Sequence, residues 1–281
     1  MERQGDDYRI RLLCLDPSAQ LQSALKRVES AIFFSATLTP LHYFRAALGG
    51  SEEDLKYKIP SPFPPENLQV IAATGIRTTY KERTGSMEQV AQTLTTFIKA
   101  RRGNYLVFFP SYAYLNDIAP RVQELIPEVE IICQTNAMDD AARLQFLNAF
   151  DVQSERTLAG FAVMGGIFGE GIDLIGDRLI GVAVVGLGLP QVGLDRNLIR
   201  DYFDQQGVDG FDYAYLFPGL NRVFQAAGRL IRSESDRGVV LLIDHRFTEA
   251  RVRNLLPNSW QIALCKKTSE IEAALKRFWN V

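Results

Sequence analysis

The 281-residue chain holds only three cysteines, two histidines and two tryptophans, and these scarcities narrow the chemistry at once. Cys14, Cys133 and Cys265 lie far apart without any C-x-x-C pair, and each sits in an apolar neighbourhood. They read as core thiols rather than metal ligands. His42 and His245 make no metal-ligand spacing, so no metal site is expected. No apolar run reaches the roughly 18 residues of a membrane span. The charged start MERQGDDYRIR is unlike a secretory signal, and a cytoplasmic location without membrane partners is the expectation. Charge of one sign is also lacking, the formal net charge being -2. Any nucleic-acid contact therefore calls for a local groove, not a globally basic surface.

What is present is an ordinary globular composition, 47% hydrophobic and 23% charged, enough for one large core or two modest ones. Strands and helices alternate along it. Strands are predicted at Arg9 to Leu15, Ala31 to Ser35, Asn104 to Phe109, Val129 to Cys133, Thr157 to Met164, Leu179 to Gly186 and Gly238 to Asp244. Helices are predicted at Ser18 to Ser30, Met87 to Ala100, Tyr112 to Leu125, Asp139 to Phe150 and around QAAGRLIR, Gln225 to Arg232. This pattern specifies an α/β fold whose mostly parallel sheet carries helices on both faces. The segment Ile59 to Leu68, IPSPFPPENL, has four prolines and reads as a junction, dividing the chain into 1–58 and 59–281.

The QAAGRLIR helix is the most informative element. At roughly 100° per residue, Gln225, Gly228, Arg229 and Arg232 share one face, while Val223, Phe224, Ala227, Leu230 and Ile231 form the apolar face that anchors it. Gly228 in mid-helix costs about 1 kcal/mol against alanine, which suggests a close approach to the backbone. Phosphate suits such a face, because guanidinium forks match phosphoryl oxygens. A solvated amphipathic helix is the plainer alternative.

Three further segments bear chemistry. Gly165 to Asp173, GGIFGEGID, puts four glycines at a strand end, where the backbone can pass close to a ligand; a plain tight turn explains it equally well. Leu106 to Tyr112, LVFFPSY, runs from an apolar strand into a Pro-Ser helix start, which places Ser111 at the carboxyl edge of the sheet as a cap or a ligand contact. Phe108, Phe109, Tyr112 and Tyr114 are candidate stacking faces, the two phenylalanines reading better as core. Ser35 to Leu38, SATL, follows an apolar stretch, and its Ser35 and Thr37 read locally as turn formers.

Taken together these segments resemble superfamily 2 helicases of the DinG and XPD group. QAAGRLIRSESDRG resembles motif VI, GEGIDLIGDRL motif V, LVFFPSY motif IV and FFSATLTPLHYF motif III, in the expected order from about Cys14 to Trp279. The resemblance implies a RecA-like second motor domain, with 1–58 as the end of a first RecA-like domain and 59–281 as the second. It implies that Arg229 and Arg232 act as arginine fingers and that Gln225 senses the terminal phosphate. Gly228, Glu170, Gly171 and Asp173 become nucleotide-site positions. Ser111, Ser35 and Thr37 become contacts to DNA or coupling residues.

The departures are equally informative. The chain contains no G-x-x-x-x-G-K-[S/T] and no D-E-x-H, and it lacks the four clustered cysteines of the group's iron-sulfur domain. The expected protein is therefore a C-terminal part, without an iron-sulfur cluster of its own and inactive as an ATPase alone. ATP and magnesium would be held jointly with an N-terminal RecA-like domain bearing Walker A and B, and single-stranded DNA would be the track. A non-catalytic helicase-derived module that binds single-stranded nucleic acid or a partner protein is the alternative. A different nucleotide-binding α/β enzyme accounts for the sheet but not for the motif order.

Overall fold

The computed structural model describes residues 2–4, 7–9, 11–150, 156–168, 174 and 176–280. In chain order the elements are β1 (Glu2–Gln4), β2 (Asp7–Arg9), α1 (Ser18–Leu25), α2 (Leu41–Ala47), β3 (Leu68–Ala73), α3 (Arg83–Lys99), β4 (Asn104–Phe109), α4 (Tyr112–Leu125) and β5 (Glu130–Cys133). They continue as α5 (Asp140–Asn148), β6 (Leu158–Val163), β7 (Gly181–Val185), α6 (Leu194–Gln205), α7 (Phe217–Ala227), β8 (Gly238–Ile243), α8 (Ala250–Arg253), β9 (Ile262–Cys265) and α9 (Thr268–Trp279). Among the described residues no helix is long and apolar enough to cross a membrane.

Two compact units divide the chain, one formed by 1–58 with 190–218 and the other by 59–189 with 219–281. The first break falls after Lys58, beside the proline-rich segment, and 190–218 groups with the first 58 residues. Aromatic packing is the reason: the Tyr43 ring lies 5.1 Å from that of Tyr213 and 5.0 Å from that of Phe217. Tyr202 shares a 3.3 Å hydrogen bond with Asp16, and Arg11 pairs with Asp195.

In this first unit, two predicted strands are missing. Residues 11–15 have no strand partner, and β2 ends at Arg9. Ala31 to Ser35 is irregular, with Ile32 86% and Phe34 90% exposed. An apolar run becomes a strand only where neighbouring strands take its backbone groups, and among the described residues none does. The helix predicted to reach Ser30 stops at Leu25.

The second unit is built on seven strands, all parallel, in the order β5-β6-β4-β7-β8-β3-β9. With helices packed on it, this is the RecA-like second-domain architecture expected. Every residue of β4, β7 and β8 is buried, as strands covered on both faces must be. One face, through Ile71, Val107, Phe109, Phe161 and Leu241, joins a core with Leu94 and Phe97 of α3, Leu115 and Ile118 of α4, and Ile271 and Leu275 of α9. Strands β3 and β9 and helix α9 were not predicted. β3 enters the sheet interior between β8 and β9, in full register with β8 from Leu68 opposite Gly238 to Ala73 opposite Ile243.

Candidate functional site

Because the strands are parallel, all their carboxyl ends open on one edge of the sheet, where α/β folds hold ligands. β4 exits there through Pro110 into Ser111, the N-cap of α4, whose hydroxyl accepts a hydrogen bond from the Tyr114 amide at 3.3 Å. The neighbouring exits turn on glycines with positive φ, Gly165 (70°) after β6 and Gly186 (86°) and Gly188 (66°) after β7. Gln134, following β5, is buried between two of these exits. Its carboxamide oxygen accepts from the Val163 amide at 2.8 Å and its nitrogen donates to the Tyr112 hydroxyl at 2.8 Å.

The helix α7 begins at this same edge. Its Arg222 guanidinium lies flat against Gly165, where an added Cβ would stand 3.0 Å from Nε, and Nη1 donates to the Gly188 carbonyl at 3.3 Å. β8 exits into Asp244, which has no exposed surface. Asp244 accepts from Nε, Nη2 and the amide of Arg246 at 2.8, 2.9 and 2.8 Å, and from the Thr78 hydroxyl. Burial pushes this carboxyl up, but the Arg246 bonds and charge and the Thr78 hydroxyl outweigh it and hold it below the usual carboxylate range.

The arginine segment is elsewhere. α7 ends at Ala227, so Gly228, Arg229 and Arg232 are not on a helix as predicted. The chain tightens into a turn in which the amides of Arg229 and Leu230 donate to Ala226 and Ala227, both at 3.2 Å. An added Cβ on Gly228 would meet the Phe224 carbonyl at 3.1 Å and the Gln225 carbonyl at 3.7 Å, so among the described residues the glycine is approached only by the end of its own helix. The predicted division of faces survives in burial: Val223, Phe224, Ala227 and Leu230 are buried, Gln225, Arg229 and Arg232 half-buried and Gly228 exposed. Ile231, expected in the core, is only half-buried because the helical period stops before it.

Asp236, which the sequence did not single out, shapes the loop. It accepts from the Arg232 amide at 2.7 Å and from the amide and hydroxyl of Ser233 at 2.8 and 2.7 Å. Burial raises its pKa, but these bonds and one from the Gly176 amide prevail and keep the carboxyl below its ordinary value. Gly176 precedes β7, and Asn67, which precedes β3, donates to the Glu234 carbonyl at 2.9 Å. The arginine loop thus sits at the amino edge of the sheet, and Ser111 at the carboxyl edge. Of the remaining predicted positions, Glu170, Gly171 and Asp173 lie outside the described residues. Ser35 and Thr37 belong to the first unit and form a local turn, with the Thr37 amide donating to Ser35 Oγ at 3.2 Å. No group of three or more His, Cys, Asp or Glu side chains suited to a metal ion occurs among the described residues.

The helicase C-terminal domain family matches residues 94–263, more than half of the chain. The chain belongs to that family. This helicase C-terminal domain is 24% identical to the ATP-dependent DNA helicase Chl1 of Schizosaccharomyces pombe, over 90% of this chain and 33% of the relative. It is 29% identical to the ATP-dependent DNA helicase YoaA of Escherichia coli, over 77% of this chain and 33% of that protein. The chain therefore spans about a third of the length of these relatives. Among solved structures an XPD helicase superposes with a TM-score of 0.68 at 21% identity, over 89% of this chain and 45% of the other, a likeness of fold. The family match begins inside α3 and ends in β9, so it takes in the exits around Ser111 and Gln134 and the whole arginine loop.

Proposed function

We propose that this helicase C-terminal domain is the second motor domain of an ATP-dependent DNA helicase, and that it supplies Arg229 and Arg232 to an ATP site completed by an N-terminal RecA-like domain with Walker A and B. The observation that carries this reading is the loop built around Asp236. Its buried carboxylate holds the backbone at Arg232 and Ser233, so the segment bearing both guanidiniums is ordered before any nucleotide arrives. Preorganised positive charge of this kind stabilises the charge that develops during phosphoryl transfer. The exposed Ile32, Phe33 and Phe34 support a missing first domain, since such side chains need a sheet to cover them.

Magnesium accompanies ATP and neutralises phosphate charge when bound. It would be held with ATP jointly by this domain and the N-terminal one, and no step here runs through it. Gln225 senses the terminal phosphate, and Glu170, Gly171 and Asp173 line the nucleotide site. At the carboxyl edge, Ser111 and the start of α4 form part of the track for single-stranded DNA, with Ser35 and Thr37 relaying the nucleotide state. Separate edges for the arginine loop and for Ser111 fit one domain serving two ligands.

The test is made with this chain joined to an N-terminal helicase domain. Arg229→Ala and Arg232→Ala are each expected to abolish ATP hydrolysis while sparing DNA binding. Unchanged turnover in both variants would defeat the arginine-finger assignment.

A further inference from the structure

β5 is the outermost strand of the seven, and among the described residues its second edge pairs with no other strand. The Glu130 amide donates to the Thr157 carbonyl at 3.1 Å and the Gln134 amide to that of Phe161 at 2.8 Å, so by the alternation of a parallel ladder the amides and carbonyls of Ile131 and Cys133 face outward. Two hollows run between this edge and α4, sharing Ile131 and Gln123. The one near the start of β5, about 490 Å³, is lined by Pro127, Glu128, Glu130 and Arg156. The other, about 300 Å³, is lined by Asn116, Ala119, Pro120 and Cys133.

Hydrogen-bond acceptors dominate this groove. Pro120 sits inside α4 and has no amide to give the Asn116 carbonyl one turn earlier. Gln123 Nε2 donates to the carbonyls of Val129 and Ile126 at 3.2 and 3.4 Å, which turns its donors inward and leaves Oε1 without a hydrogen bond among the described residues. The carboxylates of Glu128 and Glu130 add negative charge. Lys99 reaches only Glu128, at 3.7 Å with both side chains more than half exposed, and Arg156 has a partner of its own. An open strand edge beside surplus acceptors calls for an extended chain that brings donors and positive charge. We propose that β5 docks a basic, extended segment of a partner protein, which pairs with Ile131 and Cys133 as an eighth strand. Side chains two residues apart stand on one face of a strand, about 6.6 Å from each other, so one apolar and one lysine or arginine side chain of that segment fill the two hollows.

The experiment uses the full 281-residue chain and labelled heptapeptides of threonine carrying one lysine and one valine two residues apart, in either order, with binding read by fluorescence anisotropy. One order is expected to bind, and its counterpart with glutamate in place of lysine is not. Glu128→Lys and Glu130→Lys each weaken binding about fivefold, the scale of an exposed ion pair. Both side chains are exposed, and thermal unfolding checks that the variants remain folded. Methylating alternate amides of the peptide abolishes binding in one phase of the alternation and spares it in the other, because only one set faces β5. With peptide bound, amide exchange slows at Ile131 and Cys133 but not at Glu130 and Ile132, which already face β6. Failure of both lysine peptides to bind, equal binding of the glutamate peptide, or equal behaviour of the two methylated peptides overturns the proposal. Slowed exchange at Ile131 and Cys133 with an oligothymidylate instead of peptide would give the edge to nucleic acid, and the same change on concentrating the chain alone would give it to a second copy. Either result overturns the proposal as well.

Discussion

Gly188 and Gly219 meet backbone to backbone: a Cβ on Gly188 would stand 2.7 Å from the Gly219 carbonyl oxygen. The contact seats the start of α7 on the exit of β7, and Gly188 has φ of 66°, where a side chain is strained as well as crowded. Gly188→Ala is expected to destabilise the domain by about 2 kcal/mol or more. Thermal unfolding should show a fall of several degrees in Tm, and an unchanged midpoint would mean that the two elements separate without cost.

The carboxylate of Asp244 should govern acid stability. Because Arg246 and Thr78 overcome burial and depress its folded pKa, its stabilising contribution is complete above the ordinary carboxylate range, about pH 4. That contribution is lost as the pH falls through the depressed folded value. Asp244→Asn leaves the half-buried Arg246 uncompensated and should cost about 3 kcal/mol at pH 7. Urea midpoints measured across pH 3 to 7 are expected to converge for the two proteins at the acid end, roughly below the carboxylate range. Parallel curves would rule the carboxylate out as the cause.

Loss of Asp236 should loosen the arginine loop without unfolding the sheet. Removing the acceptor of three amides and a hydroxyl in Asp236→Ala is expected to cost about 2 kcal/mol. If the loop must be ordered for Arg229 and Arg232 to act, ATP hydrolysis with an N-terminal domain present falls as well, more than nucleotide binding does. Full turnover in a destabilised Asp236→Ala protein would separate the loop from catalysis.

Next to Asp236 at the amino end of β8, Arg237 stacks on Phe278 with its guanidinium carbon 4.7 Å from the ring centroid, and it donates to the Phe278 carbonyl at 2.6 Å. This pins the end of α9 to the sheet. Arg237→Ala is expected to lower stability by about 1 kcal/mol, and Arg237→Lys to recover only part of it, because an ammonium cannot both stack flat and reach the carbonyl. Hydrogen exchange in α9 is the sensitive readout, and equal protection in all three proteins would show the contact to be passive.

How far the residues themselves announce these features varies by element. β4 and α4 occupy the predicted spans, 104–109 and 112–125, because an unbroken apolar run followed by Pro-Ser is a strand and a capped helix by local chemistry alone. The end of α7 was misplaced, since the period of apolar residues continues through Leu230 although the hydrogen bonds tighten after Ala227. Ala31 to Ser35 has the look of a strand for the same local reason, yet among the described residues it pairs with no other strand. Gln134 and Asp236 carried no signal at all: a glutamine after a strand and an aspartate in a polar turn are commonplace until their partners are known.

The sequence by itself determined the alternation of strands and helices, the cap at Ser111, the paired glycines after β6 and the density of arginine around Gln225. These depend on interactions within a few residues, which are written into composition and spacing. Tertiary structure alone decided that β3 lies between β8 and β9, that the arginine loop and Ser111 emerge on opposite edges, and that Gln134 turns its nitrogen toward Tyr112. Each of those outcomes depends on groups far apart in the chain competing for the same hydrogen bonds and the same core volume, and that competition is settled only when the sheet has assembled.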